Sequence, residues 1–108
     1  MALSNLDVID AIGIDRYSGE IVLSLIDELD WSEPALHAEL LSEKLNRYLG
    51  FVESREYLVQ YPEAGGQPIR INLICRFQPP AAVVASLEGA RAIAISYGSE
   101  LSWQLHST

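Results

Sequence analysis

Hydrophobic positions along this chain follow two periods, and the switches between them mark its elements. From Glu20 to Asp27, Ile21, Leu23 and Leu25 alternate with Val22, Ser24 and Ile26, the period of two that a pleated strand imposes. A shorter apolar segment, Val8, Ile9, Ile12 and Ile14, precedes it. Between them Asp15-Arg16-Tyr17-Ser18-Gly19 predicts a turn, because Asp and Ser bond the local backbone and Gly19 accepts positive φ. These two segments predict a hairpin.

The spacing then lengthens. Ser32 is expected as N-cap, with Glu33 and Pro34 in the first helical turn. Leu36, Leu40, Leu41, Leu45, Tyr48, Leu49 and Val52 form one stripe, opposite Glu39, Ser42, Glu43, Asn46 and Arg47. Gly50 can end this helix, or Phe51 and Val52 can carry it further.

Alternation returns at Tyr57, Val59 and Tyr61, predicting a strand, and Pro62 to Pro68 with Gly65-Gly66 predicts a hairpin loop. The clearest alternation is Ile69, Ile71, Leu73, Cys75 and Phe77 against Arg70, Asn72, Ile74, Arg76 and Gln78. Pro79-Pro80 breaks it. Val83, Val84, Leu87, Ala90, Arg91 and Ala94 make a second helical stripe over Ala81 to Ala94. After a turn at Gly98, Leu101, Trp103 and Leu105 alternate, so a last short strand can follow. The expected fold is α+β and two-layered. An antiparallel sheet from two hairpins carries two helices on one face, in the order ββαββα with that optional strand.

Length and composition narrow the class. A chain of 108 residues is expected to be a single domain, 1–108. Its 49% hydrophobic and 20% charged residues are ordinary for a globular protein. One Cys excludes an internal disulfide and suits a reducing cytoplasm. Met1 to Asp10 holds no Lys or Arg, so no secretory leader is expected. The apolar stretches are too short to span a bilayer, so no membrane association is expected. The net charge of −8 lies wholly in residues 1–53, where eleven acids face Arg16, Lys44 and Arg47. Such a surface repels phosphate backbones, and no nucleic acid is expected as a partner.

Three stretches carry a resemblance: Asp7-Val8-Ile9-Asp10-x-Ile12-Gly13, Leu29-Asp30-Trp31, and Glu43-Lys44-Leu45-Asn46-x-Tyr48-Leu49-x-Phe51-Val52-Glu53-Ser54. Together they resemble a family of small bacterial proteins of unknown function, across most of the chain to about Phe77. That family reads Asp-His-Leu-Asp-Trp before the aromatic, where this chain has Glu28 for the His. It has Ser-Gly-Glu where this chain has Ser54-Arg55-Glu56. The resemblance implies a small cytoplasmic α+β domain and brings no activity with it.

Candidate chemistry concentrates at Asp27, Glu28, Asp30, Trp31, Glu33 and His37. Carboxylates and imidazole ligate divalent cations, and Glu33 and His37 lie i,i+4 on one helix face, so Asp30, Glu33 and His37 are the metal candidates. The spacing matches no established metal motif, and negative charge is also welcome at a helix N-terminus. No resident metal or cofactor is therefore expected. Trp31 is expected to pack the strand end onto the helix, His37 to be exposed or capping, and His106 to lie in a frayed tail. Cys75, on an apolar strand face, is expected in the core without a base to activate it. Gly65-Gly66 lacks the Lys-Ser/Thr and helix of a phosphate loop.

The expected function is a non-enzymatic protein–protein interaction module, with a homodimer as one form. Asp27, Glu28, Asp30, Trp31 and Glu33 would meet a basic protein partner. Arg70, Asn72 and Arg76, a polar row on one strand face, are the second contact surface. The alternative is a divalent-cation-dependent protein or hydrolase using the acidic turn 27–37.

Overall fold

The computed structural model describes residues 9–62 and 65–105. The elements are β1 (Ala11–Ile14), β2 (Ile21–Asp27), α1 (Pro34–Ser54), α2 (Tyr57–Gln60), β3 (Ile69–Cys75), α3 (Ala81–Ser96) and β4 (Ser99–Leu105). One four-stranded sheet has the spatial order β1-β2-β3-β4. The β1–β2 pair is antiparallel, with Ile12 opposite Leu23, whereas β2–β3 and β3–β4 are parallel. Helices pack on one face of this mixed sheet, so the α+β, two-layer architecture stands.

The second antiparallel hairpin does not exist. Tyr57–Gln60 is a helical turn rather than a strand. The cause is local: Arg55 adopts the left-handed conformation, φ 61° and ψ 30°, and its N–H bonds Val52 O at 3.2 Å. The chain then re-enters a helical turn, with Leu58 N–H on Arg55 O and Tyr61 N–H on Tyr57 O. With α1 returning the chain across the sheet, β3 starts at the same end as β2. Ile21 N–H, bonded to Pro68 O at 2.9 Å, secures that start. The chain thus crosses over instead of turning back, as parallel pairing requires. The same logic makes α3 a crossover and β4 a full seven-residue strand. The observed order is ββααβαβ. Within the expected loop 62–68, Glu63 and Ala64 lie outside the described residues, as do Val8 and His106.

Burial follows the alternation. Ile21, Leu23 and Leu25 of β2, Ile69, Ile71 and Leu73 of β3, and Leu101 of β4 are buried beneath the helices. Leu41, Leu45, Tyr48, Leu49 and Val52 of α1 and Val83, Leu87 and Ala94 of α3 close the core. Leu36 is half exposed, so the buried stripe of α1 starts one residue later, at His37. Among the described residues, no helix is long and apolar enough to cross a membrane.

Candidate functional site

Asp27 is the last residue of β2, and its odd position turns it to the helix-covered face, where it is 2% exposed. His37, one turn into α1, is equally buried. Its Nε2 lies 2.6 and 2.7 Å from the two Asp27 carboxylate oxygens, and its Nδ1 lies 2.8 Å from Asp30 O. Trp31 stacks on the imidazole, with ring centroids 3.5 Å apart and planes 15° from parallel. Acceptors thus face both ring nitrogens. With Nδ1 donating to Asp30 O, one further proton must be held between Nε2 and the Asp27 carboxyl. Burial pushes the Asp27 pKa up, against the hydrogen bond and charge of His37, which act the other way.

This geometry corrects several expectations. His37 is neither exposed nor capping, and Asp27 is too buried to touch a partner. The two groups enter the interior because each neutralises the other, which an isolated buried charge cannot do. Ser32 is not the N-cap: that position is Glu33, which makes no side-chain cap bond. The Ser32 hydroxyl and N–H instead bond Asp30 Oδ1, at 2.6 and 3.1 Å. Those two bonds hold the Asp30 carboxyl below its ordinary range. Asp30 and Glu33 are exposed, while Glu28 and Trp31 are half-buried. Trp31 packs the strand end onto the helix, as its position predicts.

Asp30, Glu33 and His37 do not converge as ligands. Both imidazole nitrogens are engaged, and the described residues contain no group of three or more His, Cys, Asp or Glu side chains placed to hold a metal. Cys75 sits beside Asp27 in the strand register and is buried; desolvation, helped by the Asp27 charge, pushes its thiol up to about 11. Such a thiol is inert as a nucleophile at neutral pH.

A second polar network was not foreseen. Lys44 is fully buried, and its Nζ lies 2.6 Å from Asp10 Oδ1. Asp10 Oδ2 accepts the Ile26 N–H at 2.9 Å. The Asp10 N–H donates to Tyr48 Oη at 2.7 Å, and that hydroxyl donates to Ser24 O. β1 reaches only Ser24 of β2, so beyond it these side chains bond backbone groups that a longer β1 would have paired. Burial raises the Tyr48 pKa, keeping the phenol protonated as that donor role requires. One signal was present: Lys44 falls between Leu41, Leu45 and Tyr48 on the apolar stripe, where a lysine needs a carboxylate partner.

The opposite face of the sheet has no helix over it among the described residues. In register across it lie Val22, Arg70 and Glu100, then Ser24, Asn72 and Ser102, then Ile26, Ile74 and Gln104. Arg70, Asn72 and Ile74 are half-buried by their strand neighbours, whereas Ile26, Glu100 and Gln104 are exposed. Arg70 Nη1 lies 3.7 Å from Glu20 Oε1. Arg76, just past β3, is exposed, and its N–H bonds Asp27 O at 2.9 Å. The predicted polar row is therefore accessible, but Arg70 and Asn72 lie across the sheet from the acidic turn. The two candidate surfaces do not form one site.

Fold and site together define a small two-layer α+β protein whose most distinctive charged groups are engaged with one another inside it. The chain matches a family model described as a family of unknown function (DUF6572) over residues 1–107, and it belongs to that family. No curated protein and no solved structure matches it.

Proposed function

We propose that this protein is a non-enzymatic protein–protein interaction module whose contact surface is the helix-free face of its sheet. One observation carries this reading. Among the described residues the parallel strands β2, β3 and β4 are covered on one face only, whereas parallel strands are ordinarily covered on both. That face mixes apolar Val22, Ile26 and Ile74 with neutral Ser24, Asn72, Ser102 and Gln104 and the charged pair Arg70 and Glu100, a composition suited to contact with another protein. Both crossovers also step the same way across the sheet. The strand order therefore has no reversal, the point at which open α/β sheets form a ligand crevice. Asp27 and His37 are occupied with each other in the interior. The surface of choice thus moves from the acidic turn to Arg70, Asn72 and Arg76 and their neighbours. A single thiol is compatible with work in a reducing cytoplasm.

The test is chemical cross-linking in cells that make the protein, comparing the parent with Ile26→Asp, Ile74→Asp and Asp30→Ala/Glu33→Ala. Cross-linked species containing the protein should fade in the two face variants and survive in the acidic-turn variant. Species indifferent to both face substitutions, in variants with parental circular dichroism, would overturn the proposal.

A further inference from the structure

We infer that the groove between α1 and α3 receives a basic amphipathic α-helix of another protein, laid between the two. This groove lies on the side of the sheet away from Arg70, Asn72 and Ile74, so the inference stands apart from the reading of the helix-free face.

Shape is the first argument. An apolar groove of about 380 Å³ separates the two helices. Leu41, Leu45 and Leu87 are buried at its floor, while Ser42, Asn46, Ser86, Gly89 and Ile93 are exposed along it. It runs from Ala38 to Leu49 on α1 and from Val83 to Ile93 on α3, about 16 Å or three helical turns. Ala38, Ser42, Ser86, Gly89 and Ala90 are small, which lets a helix axis come within the usual packing distance of about 8–10 Å. The banks hold their own backbone N–H and C=O groups in helical hydrogen bonds, so an extended strand would find nothing to pair with.

The outer side of α3 also lacks the charge that water-facing helices carry. Ala82, Ala85, Gly89, Ala92 and Ile93 are exposed there. Glu88 and Arg91 are the only charged residues of the helix, and they pair with each other at 3.0 Å. Arg91 turns to β4, where it donates to Leu101 O and lies 4.3 Å from the Trp103 ring centroid. A helix that is apolar beyond its own core contact is ordinarily covered by another element.

Charge identifies the occupant. Glu39, Asn46 and Glu53 follow one another at i, i+7 and i+14 on α1, so the two acids stand on one strip near the two ends of the groove. Glu53 accepts the Tyr97 hydroxyl, which sets a carboxylate between the C-terminal ends of the two helices. Among the described residues no cation lines the groove. Lys44 is buried against Asp10, and Arg47 shares the strip of Leu36 and Leu40, none of which lines it. Because α1 falls in the acid-rich half of a chain of net charge −8, a cationic helix is drawn to this bank and a second copy is repelled. Apolar residues on one face of the incoming helix fill the groove, and lysines or arginines on its flank meet Glu39 and Glu53.

A fluorescein-labelled peptide of about 18 residues, with leucine at heptad a and d positions and lysine elsewhere, tests this by fluorescence anisotropy and amide chemical shifts. Micromolar binding is expected at low salt, weakening as salt rises. Shifts should concentrate in residues 38–49 and 83–93. A peptide of the same composition with its leucines scattered around the helix should bind at least about tenfold more weakly. Gly89→Leu should cost about as much, roughly tenfold, because its side chain fills the groove. A Cβ at Gly89 meets nothing within 4 Å, so this variant keeps the fold. Glu39→Lys/Glu53→Lys should weaken binding about three- to tenfold and flatten its salt dependence. Equal binding of the scattered peptide, parental affinity in Gly89→Leu, or no binding up to about 1 mM would each overturn the inference. So would shifts of these amides produced by sodium laurate and not by the peptide, which mark an acyl-chain site. Shifts produced by raising the protein concentration alone mark a second copy there and overturn it too.

Discussion

Trp31 lies flat on His37, and the stacked imidazole points one nitrogen at the Asp27 carboxylate and the other at Asp30 O. The last residue of β2 is thereby tied to the first turn of α1 through a buried pair. The indole shields that pair on one side. Direction matters in this junction: α1 must leave the sheet at an angle that lets β3 start beside β2.

Removing one member of the pair should therefore cost far more than removing both. His37→Ala leaves the Asp27 carboxyl buried without its partner, and the loss should be about 3–5 kcal/mol in urea unfolding. Asp27→Leu/His37→Leu, which replaces the pair by apolar bulk, should lose less than that single change. A double variant weaker than His37→Ala would refute the compensation argument.

Stability should also carry the signature of Asp27 as pH changes. Burial raises its pKa above the ordinary 3.8, so the folded chain binds this proton more tightly than the unfolded one. The contribution is fully present below that ordinary value and is lost as pH rises through the folded value. Urea unfolding at a series of pH values, for the parent and for Asp27→Asn, isolates the effect. The parent should lose ground to the variant on raising the pH from 3.8. A parent that instead gains on the variant over that rise would contradict an upward shift of the Asp27 carboxyl.

The edge of β2 beyond β1 offers a separate measurement. Tyr48→Phe removes the hydroxyl that accepts the Asp10 N–H and donates to Ser24 O, leaving both without that partner. A loss of about 1–3 kcal/mol is expected. Amide exchange at Asp10 and Ile26 should quicken more than exchange at Leu73 in the sheet centre. Equal acceleration everywhere would mean that the hydroxyl acts only through global stability.

Arg55 holds a left-handed conformation at the end of α1, the position where the family resemblance expects glycine. An L side chain is strained there, while glycine is not. Arg55→Gly should thus raise stability by about 0.5–1 kcal/mol, read as a higher melting temperature. A lower melting temperature would show that the arginine side chain contributes more than its backbone costs.

Local periodicity determined a great deal. The alternation in 20–27 and 69–77, the shorter one in 101–105 and the stripes in 36–52 and 81–94 mark strands and helices, because one-sided burial writes its period directly into neighbouring residues. That Arg70, Asn72 and Arg76 share one strand face, interrupted by Ile74, was legible for the same reason. Strand direction was not. Whether β3 pairs antiparallel with a neighbour or parallel with β2 depends on four residues, Tyr57–Gln60, whose alternation fits a strand but whose backbone follows the left-handed turn at Arg55. Burial of His37 and Lys44 was equally hidden. A charged side chain enters a core only when an opposite charge meets it, and their partners Asp27 and Asp10 stand 10 and 34 residues away in the chain. Periodicity reports what a residue's neighbours bury, whereas charge compensation and strand pairing are settled between distant segments, and so only the tertiary structure decides them.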